Sequence, residues 1–473
     1  SVKYTSQYGC VSPNSAPTVV TVNANPTVSI SGSSAICPNT FTTLSAVASA
    51  GSGTISSYAW TLNGTTDAGN TQSISVNTAG SYTVTVTNSN GCSTTSAALA
   101  LAQSVPPTAA ISASCTSLTP GQTAVLTGSP ANAVTYAWSL DGGNTLSTSN
   151  PYTTAVGAFG TYKLKVTSTL NGCQDSTTVA ISSQTGAIAG GSTFTIPSSS
   201  CGGFLSINAA AQYLNANGVT GSGQITFNVA AGYTETAPAR GITFGGTNTA
   251  TNTGSNSLLT TQSSATPIVF QKSGTGANPL VTASGSQTAG SVVDAVIRLR
   301  GADYFTFDGI DVRENAANQV SATASNNMTE FGYALFANDT TNGSQNNTIR
   351  NCNISLISGD GTSIYPSSFG IYSNTRHNAD STTIANISDS INGTNSFNKY
   401  YSNSISGVNI GIALIGSTNI NRMDKGNDIG GTSASTGNTI TNWGGFSTAA
   451  SYPSNSASDH AIFNINQLDN NIS

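Results

Sequence analysis

The sequence predicts an all-β protein in two parts: tandem two-sheet sandwiches, then a stack of parallel coils behind a short helix. Three observations predict it. An alternating strand that closes on a Gly-Cys turn returns at Cys10, Cys92 and Cys173, at intervals of 82 and 81 residues (92 − 10 and 173 − 92). The apolar residues, 37% of the chain, fall in short period-2 runs bounded by Gly, Asn, Ser and Pro, with no helical period in the first 184 positions. From about residue 292 a second repeat takes over, with apolar anchors at Ile297, Phe336, Tyr372, Leu414 and Phe463, spaced 39, 36, 42 and 49 residues apart.

Composition narrows the class. Of 473 residues only 7% are charged, against about 25% in an ordinary soluble chain. Ser, Thr, Asn and Gly replace them. Such a chain is either disordered or an all-β protein with a Ser/Thr/Asn solvent face, and the clean alternation selects the second. A net charge of −5, a pI near 4.8 and thirteen Lys and Arg in all argue against nucleic acid as a partner. There is no run of 18 apolar residues, so no membrane span is expected in this segment.

Residues 1–26 read as the tail of one module, and 27–103 and 104–184 as complete copies. "YAW" at Tyr58–Trp60 returns at Tyr136–Trp138, and Cys37 returns at Cys115, both shifted by 78 (136 − 58 and 115 − 37). Within the first copy "TVSISGSSAIC", "FTTLSAV", "SYAWTLNG", "TQSISV", "SYTVTVT" and "TSAALALA" are short strands between turn residues. Short strands at regular spacing, a Trp on a central strand and a Cys pair predict an immunoglobulin-like sandwich. Tyr and Trp two apart share a face, so Trp60 and Trp138 are expected in the core beside a disulfide. The repeated spacing, 55 for Cys37 to Cys92 and 58 for Cys115 to Cys173 (92 − 37 and 173 − 115), predicts one disulfide within each module. Such a loop closure contributes roughly 4 kcal/mol on the chain-entropy model. Persistent disulfides predict an oxidising, extracellular or cell-surface location. Cys10 has no upstream counterpart of Cys37, so its partner is expected before residue 1 and the chain is expected to be a piece of a longer polypeptide.

Near residue 185 the texture changes. "QTGAIAGGSTFTIPSSSCGG" reads as a linker into a domain spanning 185–473. "SINAAAQYLNANG" is the one expected helix: Ser206 as N-cap, Ile207, Ala210, Ala211 and Leu214 on one face, Gly218 as the stop. The later repeat, an apolar strand, a turn and an Asn-rich "NNTI"-like strand, predicts a right-handed parallel β-helix. Asn side chains at its turns are expected to form hydrogen-bond ladders, and Cys352 to point inward as a small hydrophobe. The helix is expected to cap the stack and hide its open strands. "LDNNIS" at the end reads as the start of a further coil, and Cys201 has no identified partner.

"YAWTLNG" and "YAWSLDGG", followed by "AGSYTVTVTNSNGC" and "FGTYKLKVTSTLNGC", resemble the Ig-like or PKD-type repeats of large secreted adhesin-like surface proteins of the Bacteroidota. "FLSINAAAQYLNANGV…GQITFNVAAGYTE" resembles the start of β-helix domains in the same group. The resemblance covers roughly the first 184 residues for module type. It implies export across the outer membrane by the type IX route, on outer-membrane secretion or motility machinery, and a role in surface attachment or gliding motility. The PKD-type turn is "DGG" at Asp141–Gly143 but "NGT" at Asn63–Thr65, so it supports no calcium site. Starts of this kind often carry a second Cys before the "FNV" strand, absent here.

Parallel β-helices can carry glycosidases and lyases, so acids and bases are candidate catalysts. The candidates are Asp308, Asp311 and Glu314 in "FDGIDVRE", Arg422, Asp424 and Lys425 in "NRMDKGND", and the two histidines His377 and His460. Asp308 and Asp311 flank a Gly turn, as turn formers do. The 422–428 group reads as a solvated loop, and the histidines lack metal-ligand spacing. No catalytic, cofactor-binding or metal residue is assigned, and the chain is not expected to be an enzyme. The site residues expected are the disulfide cysteines Cys37, Cys92, Cys115 and Cys173. The function expected is a structural or adhesive surface protein binding a surface glycan or protein through many weak contacts. The alternatives are a carbohydrate-active β-helix enzyme on spacer modules and a self-assembling filament subunit.

Overall fold

The computed structural model describes residues 1–473 except 120, 133, 199–202, 246–262, 286, 288–293, 319–326, 359–367, 377–391 and 445–459. It divides into two compact units: residues 1–112, 127–152 and 161–179, and residues 113–126, 153–160 and 180–473. That division passes through the expected second module.

The first sandwich has one sheet of Thr27–Ser31, Thr42–Ser49 and Ser73–Val76. The other runs Ala35–Ile36, Leu99–Gln103, Gly80–Asn88, Ile55–Leu62, Thr65–Gly69, with Ser93–Thr95 on Gly80–Asn88. Strand alternation sends Leu44, Ala46, Trp60, Ile74, Val76, Tyr82, Val84 and Val86 into one core. Burying an indole removes its N–H from water, so it needs an acceptor: Trp60 Nε1 donates to Thr71 O (2.8 Å), and Trp138 Nε1 to Ser149 O (2.9 Å) in the second copy. Both Trp residues are in the core as expected. In the second copy Val134–Leu140 pairs antiparallel with Gly160–Ser168, repeating the register of Ile55–Leu62 on Gly80–Asn88.

The cysteines correct the expectation. Neither Cys37–Cys92 nor Cys115–Cys173 forms. Cys37 is joined to Cys173, Cys115 is disulfide-bonded elsewhere, and Cys92 is a free thiol, as are Cys10 and Cys352. Strand direction gives the reason. Ala35–Ile36 runs parallel to Leu99–Gln103 and ends at Gln103, level with the Gly80 end of Gly80–Asn88. Cys92 follows the opposite, Asn88 end. Eight residues of strand put the two about 27 Å apart, far beyond the roughly 7 Å between Cα atoms that a disulfide tolerates. The same holds in the second copy, where Ser117 pairs with Ser182 while Cys173 precedes the other end of Gln174–Ser183.

Among its described residues the second unit contains three long parallel sheets visited in turn, beside two parallel strand pairs, Ile188–Ala189 with Val219–Thr220 and Asp424–Lys425 with Gln467–Leu468. The first has eight strands, from Thr193–Ile196 and Ile225–Ala230 to Asn471–Ile472; the second and third have six each, beginning at Thr234–Thr236 and Ile242–Phe244. This is the parallel β-helix. Inside it, like residues stack coil on coil: Phe227 on Phe270 at 4.3 Å between ring centroids, Phe270 on Phe307 at 5.7 Å. Cys352 points inward, contacting Tyr333 Oη at 3.8 Å, and burial pushes its thiol up to about 12. The expected anchors fall on the third sheet but out of register. Ile297 pairs with Tyr333, which pairs with Ile371, then Ile412, then Ile462. Phe336, Tyr372, Leu414 and Phe463 are therefore three, one, two and one residues late (336 − 333, 372 − 371, 414 − 412, 463 − 462). Ala295–Arg300 and Phe331–Phe336 are buried on both faces, so period-2 alternation does not mark their phase.

The helix is Ile207–Asn217, and its chemistry is as expected. Ser206 Oγ accepts from Ala209 N–H (2.9 Å), and Gly218 ends it at φ 69°. Two further free N–H groups, of Ile207 and Asn208, donate to the Glu235 carboxylate at 2.9 Å each. Asn215 serves the first strand of the third sheet as a preceding coil would: Nδ2 donates to Thr243 O (2.8 Å) and Oδ1 accepts from Gly245 N–H (2.9 Å). The helix thus hides the open strand edge that the stack would otherwise present.

Candidate functional site

The staple is built by strand ends. Cys37 follows Ala35–Ile36, and Cys173 closes the turn after Gly160–Ser168, with 5.5 Å between their Cα atoms. Around it the connecting segment is tied to the second copy: Asn171 Nδ2 donates to Val105 O (3.4 Å), and Asp175 Oδ2 accepts from Ala109 N–H (2.9 Å). Backbone N–H groups of Ala109 and Ser176 hold the Asp175 carboxyl below its usual range. The disulfide therefore joins consecutive modules instead of the two sheets of one. In the second unit the matching strand end meets the β-helix start: Thr119 Oγ1 and Gln122 Nε2 both donate to Gly203 O, at 3.2 and 2.7 Å.

The candidate carboxylates are each occupied by hydrogen-bond or ion-pair partners. Asp308 takes Arg350 in an ion pair (2.7 Å) and accepts from Asn351 Nδ2 (2.6 Å). Asp311 accepts from Asn278 Nδ2 (2.8 Å) and from Asn353 N–H and Nδ2 (2.8 and 2.9 Å). Glu314 accepts from Asn315 and Thr329 N–H, Asn318 Nδ2 and Thr329 Oγ1, within 2.7–2.9 Å. Asp424 is buried, not solvated as expected, and accepts from Thr375 Oγ1, Asn395 N–H (3.1 Å) and Gln467 Nε2 (3.0 Å). Burial pushes it up to about 7. The sequence could not separate it from its half-buried neighbours because "MDKGND" reads as a loop. Arg422 lies in a short 3-10 turn, Ile420–Arg422, and Lys425 N–H donates to Ser396 Oγ (3.0 Å). His460 stacks on Phe463, 5.4 Å between centroids. His377 lies outside the described residues. Among the described residues no group of three or more His, Cys, Asp or Glu is placed to hold a metal.

Two features had no sequence signal. Glu330 is buried with neither carboxyl oxygen hydrogen-bonded; burial, then the nearby Asp294 charge, pushes it up to about 10. On the third sheet Phe331, Phe336, Phe369 and Tyr372 form an aromatic cluster separate from the main core, Phe331 and Tyr372 stacking at 4.2 Å.

Fold and geometry together define an all-β chain joining immunoglobulin-like sandwiches to a parallel β-helix. No family model matches it, and no curated protein does. Among solved structures it is similar to three N-terminal domains of the Highly Immunogenic Outer Capsid protein of bacteriophage RB49, at 19% identity and TM-score 0.23, over 36% of this chain and 65% of that one. Fibronectin(III)-like modules of Clostridium thermocellum CbhA match at 13% identity and TM-score 0.21, over 33% of this chain and 94% of theirs. Murine CEACAM1b matches at 12% identity and TM-score 0.20, over 33% of this chain and 100% of that one. Likenesses at these scores carry no inference about function.

Proposed function

We propose that this chain is an extracellular structural and adhesive protein of a cell surface. The observation that carries the reading is the Cys37–Cys173 bond. A covalent link between consecutive modules resists their separation under load, which chemistry on a small substrate does not require. It also belongs to an oxidising compartment. The occupied carboxylates support a scaffold role without catalysis. On the "YAW…NGC" resemblance the proposal extends to export by the type IX route and a role in surface attachment or gliding motility, with a surface glycan or protein as ligand. Repeated modules then act by multivalency, each contact weak and their sum strong.

The test is competition. Soluble full chain added to cells of the source organism is expected to reduce their attachment to a surface. The same preparation is expected to release no reducing ends or unsaturated sugars from pectin, alginate or xylan. Unchanged attachment, or turnover of any of these polysaccharides, overturns the reading.

A further inference from the structure

The residues that precede the strands of the third sheet form a column of their own. Ala295, Phe331, Phe369 and Ile410 pair in turn, so Asp294, Glu330, Ser368 and Asn409 stand on successive rungs. Backbone bonds join them: Phe331 N–H donates to Asp294 O (3.0 Å), and Phe369 N–H to Glu330 O (2.7 Å). Neighbouring rungs of such a sheet lie about 4.8 Å apart. All four residues are buried, Asp294 at 1% and Glu330 at 4% exposure.

Two of the rungs serve each other. Ser368 N–H and Oγ donate to Asn409 Oδ1, at 2.9 and 3.2 Å. Glu330 departs from that pattern, since neither of its carboxyl oxygens has a hydrogen-bond partner among the described residues. The acids near it offer no donor. Asp294 is on the adjoining rung, and the Glu314 carboxylate is taken up by Asn315 N–H, Thr329 N–H and Oγ1, and Asn318 Nδ2. Burial first, then the Asp294 and Glu314 charges, disfavour the ionised form of Glu330. A proton removes the charge but leaves the buried carboxyl with an unmet O–H and unmet acceptors. A cation engages both oxygens and reverses the repulsion from Asp294 as well.

We propose that Glu330 and Asp294 together hold a calcium ion at the entry to the third sheet. Two adjacent carboxylates balance a divalent charge and supply the hard oxygen ligands that calcium takes, the remaining ligands being neutral oxygens. Magnesium keeps several of its waters, which a buried site disfavours. Glu314 is not a ligand, because its oxygens are already occupied. The ion joins the coil of Ala295–Arg300 to the coil of Phe331–Phe336 through their entry residues. The proposal does not rest on the adhesive role.

The test uses the 473-residue chain at pH 8, in chelator and in calcium chloride. Equilibrium dialysis is expected to find a single calcium ion per chain, with a dissociation constant no weaker than about 1 mM, the range of extracellular modules. The β-helix melting midpoint, followed by circular dichroism, is expected to rise in calcium and to rise less in magnesium. Glu330→Gln is expected to melt above the wild type in chelator, where it removes a bare buried acid, and below it in calcium. That inversion is not given by a merely structural glutamate. Asp294→Asn is expected to weaken calcium binding at least about tenfold, and it carries the test if Glu330→Gln folds poorly. Asp308→Asn, which removes the ion pair with Arg350 on the first sheet, is expected to keep the full calcium response. No calcium response in the wild type, an equal response in Glu330→Gln, an equal response to magnesium, or loss of the response in Asp308→Asn overturns the proposal.

Discussion

At the scale of single residues, Asp424 stands in a column of amides. Ser344 N–H donates to Asn395 Oδ1 (2.8 Å), and Asn395 N–H donates in turn to Asp424 Oδ1. A carboxyl here imitates an asparagine only while protonated. Burial raises Asp424, and likewise Asp303, from 3.8 to about 7. The folded state therefore binds more protons than the unfolded state between about pH 4 and pH 7. Their favourable contribution is full below pH 4 and is lost as pH rises through 7. Glu330 extends the same trend toward pH 10. The β-helix is expected to melt at higher temperature at pH 5 than at pH 8, followed by circular dichroism. Asp424→Asn, the permanent analogue of the protonated acid, is expected to shrink that difference, and Glu330→Gln to raise the midpoint at pH 8. An unchanged pH response in both variants would refute the argument.

At the scale of elements, the turns before the first sheet are tied by one asparagine per coil. Asn347, Asn398, Asn427 and Asn470 form a ladder in which each Oδ1 accepts the backbone N–H of the coil before: 3.0 Å for Asn347 to Asn398, 2.9 Å for Asn398 to Asn427, 3.2 Å for Asn427 to Asn470. A second ladder runs Cys352, Asn403, Asn438. Each amide replaces a backbone pairing that the turn interrupts, inside a dry interior. Asn398→Ala strands the buried Asn347 N–H and Ser344 O, at about 1–3 kcal/mol per unsatisfied group. Urea titration is expected to show this loss, and a smaller one for Asn438→Ala, which lies nearer the surface.

This is also the scale at which the sequence was most readable. "NNTI" announced the ladder because a short amide side chain both donates and accepts and follows a left-handed residue, as Asn347 follows Asn346 and Asn470 follows Asp469, and Ser206 to Gly218 announced the helix through its caps. Strand phase on the third sheet was hidden, since Phe331–Phe336 is apolar on both sides. Disulfide partners were hidden too, because equal spacing of cysteines states a repeat and not which copy each thiol faces. Asp424 and Glu330 gave no sign, since burial of a carboxyl depends on coils that are distant in sequence.

At the scale of the molecule, the bond from Cys37 to Cys173 closes a loop with a sequence separation of 136. On the chain-entropy model, loss of such a closure costs about 5 kcal/mol. The double substitution Cys37→Ser with Cys173→Ser is expected to lower the chemical-denaturation midpoint of the sandwich strands, read by Trp60 and Trp138 fluorescence, and to leave the β-helix midpoint in place. Equal midpoints for the sandwiches would show that the bond is energetically idle.

The same closure decides how tension is carried. A pull applied to the two chain ends reaches Cys37, crosses two sulfur atoms and leaves from Cys173, so the polypeptide between them is slack even when unravelled. Reduction releases it. For a separation of 136 residues, stretching one chain in an optical trap with and without dithiothreitol should differ by about 460 Å of contour length. The linkage acts as a tether that caps extension.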